Sequence, residues 1–359
     1  MQIRILAFLL FFQSFAACQQ DSARSVAAAN IGFQSIASGQ QSPEKARPSA
    51  ANIIFQSTDG GKTWQDVSAG LPADLEVWGV FADGGEVVLG SESGLYRSSA
   101  TSSAPIWGKD FFCGEKITNI SSGPTGSYFC SYGSGFFREI PGTGIWMPMH
   151  NTLKDKTVRT VLETPDGALF VGCDSGIYKS ADSGQTWKHV FDEGLVLNIV
   201  ASGGVLIGGG MRGVLRSTDG GEHWDVVLDE DILAKKTGLI GDRFVTILGT
   251  EDPSKVSPEG ITNRLRTSAD GGKTWQRMEK ALLPIESIYD MDLRLLQTRD
   301  IYDIVQAGEY LFCSFDTGIF RSSDWGKTWE PVLPSDGKKV FIMAVSGKVV
   351  YAVMAFVGC

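Results

Sequence analysis

From about Ile53 onward the chain alternates short apolar runs with clusters of Gly, Ser, Asp and Thr, and it shows little of the 3.6-residue spacing of amphipathic helices. Runs at 77–82, 86–90 and 94–98 read as three successive strands, A to C, with a fourth, D, near Trp107. The same four-run unit then recurs down the chain. The first recognisable run, at Ile53, falls in the C position, and the last two, 340–345 and 349–354, fall in A and B. The two ends are therefore expected to complete one sheet together, two strands from each. Such closure hides the strand edges that an open sheet would expose.

The repeat is punctuated by Ser-x-Asp-x-Gly-x-Thr-Trp. Clear copies run from Ser57 through Asp59 to Trp64, Ser180 through Asp182 to Trp187, Ser217 through Asp219 to Trp224, Ser268 through Asp270 to Trp275, and Ser322 through Asp324 to Trp329. Most follow a Gly, two apolar residues and a base, as in Gly176-Ile-Tyr-Lys179; that prefix finds two eroded copies ending in Trp107 and Trp146. Unit starts at 57, 98, 139, 180, 217, 268 and 322 are spaced by 37 to 54 residues, the length of a four-stranded propeller blade. In each motif Ser and Asp oxygens accept backbone N–H groups, Gly supplies a positive φ, and Trp is expected to fill space between the outer strands.

These motifs resemble the Asp-box of BNR-repeat β-propellers, over residues 52–359. The family includes sialidases, sortilin-type receptors, xyloglucanase-type glycosidases and a photosystem II assembly factor. The resemblance implies an all-β, seven-bladed propeller of four-stranded blades. It implies little about chemistry, because those proteins share the turn and not the reaction. Sialidases carry Arg-Ile-Pro, an arginine triad and a tyrosine nucleophile; here Arg138-Glu139-Ile140-Pro141 is interrupted and no triad can be assembled.

Three tempting matches dissolve in the repeat. Gly208-Gly-Gly210-Met-Arg-Gly213 fits G-x-G-x-x-G but leads into a strand, not a helix. Gly-Lys-Thr at Gly61, Gly272 and Gly326 lacks the upstream Gly of a phosphate loop. No G-x-S-x-G elbow occurs.

Ahead of the repeat, Arg4 and the apolar run 5–12 read as a signal peptide over 1–17, too short to span a bilayer. Ser14-Phe15-Ala16-Ala17-Cys18 resembles a bacterial lipobox, with Phe15 where Leu is usual, so Cys18 is expected to be lipidated; Gln19 matches the outer-membrane class. Residues 18–50, rich in Ser, Ala and Gln, read as a flexible tether to the propeller at 51–359. The expected location is the cell envelope, with the lipid as the only membrane contact.

Composition adds exclusions. A net charge of −9, close to −10 without the signal, argues against nucleic acid, which demands a basic surface. Beyond Cys18 an odd set remains, Cys113, Cys130, Cys173, Cys313 and Cys359, whose pairing is open; neither they nor the scattered histidines make a metal pattern, and no cofactor is expected.

A site is expected on the face opposite the boxes. Two units carry insertions there, a B–C loop at 250–263 and a D–A loop at 278–299. The starts of the A strands give two columns around the channel, one with Trp78, Arg159, Lys235 and Tyr302, the next with Lys236 and Asp303. Together with Glu251, Asp252, Tyr289, Asp290 and Arg294 they are the candidate ligand residues, the cations focusing positive potential and the aromatics stacking. The leading expectation is a monomeric, non-catalytic propeller binding a protein or glycan. The alternative is a glycoside hydrolase using two of Glu251, Asp252, Glu259, Glu286, Asp290, Asp292 and Asp300 at a suitable separation.

Overall fold

The computed structural model describes residues 51–83, 85–100, 102, 104–110, 116–230, 232–249, 263–278, 300–335 and 340–355. All lie in the unit Arg47–Cys359. The expected leader, Cys18 and tether fall outside the described residues.

Every regular element among them is a strand. The chain enters with β1 (Ile54–Ser57) and β2 (Gln65–Asp66). Blade 1 follows as β3 (Val77–Asp83), β4 (Glu86–Ser91), β5 (Gly94–Ser99) and β6 (Gly108–Lys109). Blade 2 is β7 (Ile117–Gly123), β8 (Gly126–Ser131), β9 (Gly135–Ile140) and β10 (Ile145–Pro148). Blade 3 is β11 (Val158–Glu163), β12 (Leu169–Cys173), β13 (Gly176–Ser180) and β14 (Lys188–Phe191). Blade 4 is β15 (Val196–Ser202), β16 (Val205–Gly210), β17 (Gly213–Ser217) and β18 (Asp225–Leu228). Blade 5 is β19 (Leu233–Ile240), β20 (Arg243–Gly249), β21 (Asn263–Ser268) and β22 (Gln276–Arg277). Blade 6 is β23 (Ile301–Ala307), β24 (Tyr310–Phe315), β25 (Gly318–Ser322) and β26 (Glu330–Pro334). The chain leaves with β27 (Val340–Ser346) and β28 (Val349–Ala355).

Within each blade the strands form an antiparallel meander. The two chain ends meet in one further unit, ordered β27-β28-β1-β2, with β1 paired to β28 from Ile54↔Val353 to Ser57↔Val350. A single parallel pair, Ala355↔Val77, ties this closing blade to blade 1. The first strands of successive blades pack side by side, β3 on β7 and so on to β27, which packs on β3 again. The ring is closed among the described residues, as a β-propeller.

Each A strand buries one face against its neighbour. Polar side chains stitch these strands: Asn119 Nδ2 donates to Arg159 O at 3.0 Å, Thr237 N to Asn198 Oδ1 at 2.7 Å, and Ser346 Oγ to Asp83 O at 3.0 Å. Asp303, with no exposed surface, accepts from Lys236 of β19 and, at 2.8 Å, from Met343 N of β27. The second column thus joins blades. Lys236 and Asp303, expected as ligand residues, pair with each other across two blades.

The boxes are C–D turns. Ser57 Oγ donates to Asp59 Oδ1 (2.9 Å) and accepts from Gly61 N (2.9 Å), while Thr63 Oγ1 donates to Asp59 Oδ2 (2.6 Å). The same bonds recur in the other four boxes, with His223 replacing Thr. In the eroded copy at 98, Ala100 stands where the Asp would be, and the buried Ser98 Oγ has no partner. The tryptophans depart from expectation. Trp64, Trp187 and Trp224 meet Phe312, Phe136 and Phe170 edge-to-face at 5.8–6.4 Å, each on the preceding blade, so the indoles wedge blade against blade. Trp275 and Trp329 pack likewise into clusters that include residues of the preceding blade, Ile207 and Met278 among them. The second glycine of the box permits this contact: Gly61 has φ 82°, and a Cβ there would lie 2.5 Å from Phe312.

Candidate functional site

On the face opposite the boxes, each A strand of blades 1 to 6 carries a bulge near its start. The register skips from Val77 to Gly79, Ile117 to Asn119, Val158 to Thr160, Val196 to Asn198, Ala234 to Lys236 and Ile301 to Asp303. The extra residues are Trp78, Thr118, Arg159, Leu197, Lys235 and Tyr302, all half-buried. A bulge leaves its residue outside the ladder and re-aims its side chain, which suits a rim. The closing blade differs: β27 pairs with β28 in unbroken register, and Phe341, in the same column, is buried.

The B–C turns form the second tier of this rim. Lys116 Nζ lies 3.7 Å from the Trp78 ring centroid and pairs with Glu92 of the blade 1 turn at 3.1 Å. Arg159 lies over Tyr132 at 4.1 Å and pairs with Asp174 at 2.8 Å. The Tyr132 hydroxyl donates to the same carboxylate at 2.7 Å. Arg159 is therefore both ion-paired and stacked. Arg212 pairs with Glu193 at 3.2 Å, beside an exposed Met211.

Tyr302 is pushed up to about 12, first by burial and then by the carboxylates of Asp300 and Asp316. Lys235 is half-buried.

Glu251, Asp252, Glu259, Glu286, Tyr289, Asp290, Asp292 and Arg294 lie outside the described residues, and of the seven carboxylates only Asp300 lies inside. The inserted segments do fall between β20 and β21 and between β22 and β23 as expected, but with tighter limits. Met278 continues the strand pairing through a 3.1 Å bond from its N to Leu265 O and packs on blade 6, so it is core and not loop. Asn263 opens β21.

Cys130, Cys173 and Cys313 are buried free thiols, which burial pushes well above the usual range. Cys113 and Cys359 lie outside the described residues. No group of three His, Cys, Asp or Glu able to hold a metal occurs among the described residues.

Sequence reasoning missed Tyr132, Asp174, Glu92 and Lys116. For the first three the signal was present, because each lies two or three positions ahead of the Gly that opens strand C; Lys116, just ahead of β7, carried none.

The fold is a β-propeller whose C–D turns carry the repeated Ser-x-Asp-x-Gly motif. A family model, the BNR-Asp box repeat, matches residues 319–332. No curated protein matches the sequence. Among solved structures, YCF48 bound to a D1 peptide is similar at TM-score 0.53 and 14% identity, covering 79% of this chain and 94% of that one. The GH74 xyloglucanase from Xanthomonas campestris is similar at TM-score 0.54 and 15% identity, covering 81% of this chain and 52% of that one. Virginiamycin B lyase from Staphylococcus aureus, in a catalytically inactive form with quinupristin, gives 0.52 and 15%, covering 79% and 96%. At such identities the likeness is one of fold.

Proposed function

We propose that this protein is exported, lipidated at Cys18, and non-catalytic, and that its bulge rim binds an extended segment of a protein partner. The carrying observation is the column of six re-aimed side chains on one face, two aromatic, two cationic, one aliphatic and one hydroxyl. Such variety suits the differing side chains of a peptide better than a repeating sugar. Glu92, Asp174 and Glu193 each hold a base, which favours binding over acid–base chemistry. YCF48, of the same fold, is described as bound to a peptide, a precedent for this use of the scaffold.

Peptides selected by display on the intact protein test the reading. They should lose binding to a Trp78→Ala/Tyr302→Ala variant of unchanged melting temperature. Peptides that bind both proteins equally, or selection of glycans alone from a parallel array, refute it. Cys18→Ser should release the protein from the membrane fraction; retention refutes the anchor.

A further inference from the structure

On the box face, a second recurring contact links the blades. The residue just before each box serine reaches the next box. Arg216 Nε donates to Gly271 O at 2.7 Å, Arg321 Nη1 to Gly60 O at 2.5 Å, and Lys179 Nζ to Glu222 at 2.6 Å. Gly60, Gly220 and Gly271 all occupy the fourth position of their boxes.

The seam between blades 5 and 6 breaks this rule twice. The reaching base is replaced by Thr267, and the receiving glycine by Trp325. Trp325 holds φ 59° and is 47% exposed. A bulky residue in the left-handed region is strained, and strain of this kind collects at functional sites. Beside Thr267 lies a cavity of about 160 Å³, lined by Arg243, Thr267, Gln276, Arg277, Met278 and Trp325. Met278 occupies the place where the arginine stem packs elsewhere: a Cβ on Gly326 would lie 2.5 Å from its Cε, whereas at Gly272 Arg216 Cδ lies 3.5 Å away. Arg243, from the blade 5 A–B turn, lies 5.3 Å from the Trp325 ring centroid. Asp324 stays ionised but does not line the cavity; Ser322 and Thr328 hold its two oxygens within the box turn.

We propose that this seam is a second binding site, which takes one carboxylate-bearing sugar residue of an acidic polysaccharide. The volume admits a single pyranose ring. The exposed indole offers an apolar face for the ring's C–H groups, Arg243 supplies guanidinium donors for the carboxylate, and Gln276 and Thr267 can bond ring hydroxyls. The site lies on the opposite face from the bulge rim and does not depend on it.

The probe is trigalacturonate, titrated calorimetrically into the intact protein at low salt. Saturable binding is expected, weakened by salt and reduced at least ~10-fold, or about 1.4 kcal/mol, for uncharged galactotriose. Trp325→Gly restores the repeat residue and should fold at least as well, yet lose binding ~10-fold or more; Arg243→Gln should do the same. Trp78→Ala on the opposite face should change nothing, which separates this proposal from the rim. Any of four results overturns it: no saturable binding, equal affinity for galactotriose, full binding by Trp325→Gly, or tighter binding of a poly-glutamate peptide than of the sugar.

Discussion

Arg321 and Gly60 stand 261 residues apart in the chain, yet one guanidinium N–H of Arg321 donates to the Gly60 carbonyl at 2.5 Å. The bond crosses from the last complete blade to the first box and so belongs to ring closure. Arg321 also pairs with Glu330 on its own sheet, which fixes its direction. Arg321→Ala should lower stability by about 1.5–3 kcal/mol, the range for hydrogen bonds to charged groups. Urea unfolding checks this: the midpoint should fall with an unchanged slope. An unmoved midpoint would show that the latch contributes nothing.

Asp303 is the most enclosed acid among the described residues, and it joins three blades through Lys236 and Met343. Removing either charge leaves the other without its partner. Asp303→Ala and Lys236→Met should each cost about 3–5 kcal/mol, and the double replacement less than their sum. A double-mutant cycle with strictly additive losses would contradict the coupling.

The box aspartates respond to acid in a defined direction. Asp59, Asp182 and Asp324 are lowered from 3.8 to about 2, chiefly by the Thr hydroxyl and N–H donors, and Asp219 and Asp270 are lowered further. A depressed folded-state value means the stabilisation is complete above the unfolded value and is lost as protons bind below it. Melting temperature should therefore hold steady down to about pH 4 and drop as pH falls toward about 2. Asp270→Asn should flatten part of that drop; an identical profile would remove the boxes from the account.

Trp187 packs edge-to-face on Phe136 at 5.8 Å, across the boundary of blades 2 and 3. Trp187→Ala should cost about 3 kcal/mol, at the low end for large aromatics because the indole is only half-buried. Differential scanning calorimetry checks it, and a loss below about 1 kcal/mol would mean that the blades need no wedge.

The box turns were legible because Ser, Asp, Gly and Thr bond within eight residues, so one local pattern carries the whole geometry. Strand order was legible from the fixed spacing of those turns. The bulges were not, since Trp78 and Tyr302 break no alternation that a sequence shows; they emerge only from the pairing register. Nor could the sequence reveal that Asp174 neutralises Arg159, or that Asp303 neutralises Lys236, because those partners lie on different strands or blades. Thr267 and Trp325 were visible as two odd letters 58 positions apart by number. Their meaning depends on blades 5 and 6 being neighbours in space.

The closing blade also sets the order in which the molecule can be finished. Gln56 Nε2 donates to the Tyr351 hydroxyl at 3.1 Å, across 295 residues of intervening chain. A chain made from its N-terminus holds β1 and β2 as a bare hairpin, too small to be stable alone, until β27 and β28 arrive. Contacts this distant in sequence are slow to form. The ring therefore acts as a length check: a chain cut short anywhere before residue 340 leaves both ends of the circle as exposed strand edges, open to proteases and to other unfinished copies.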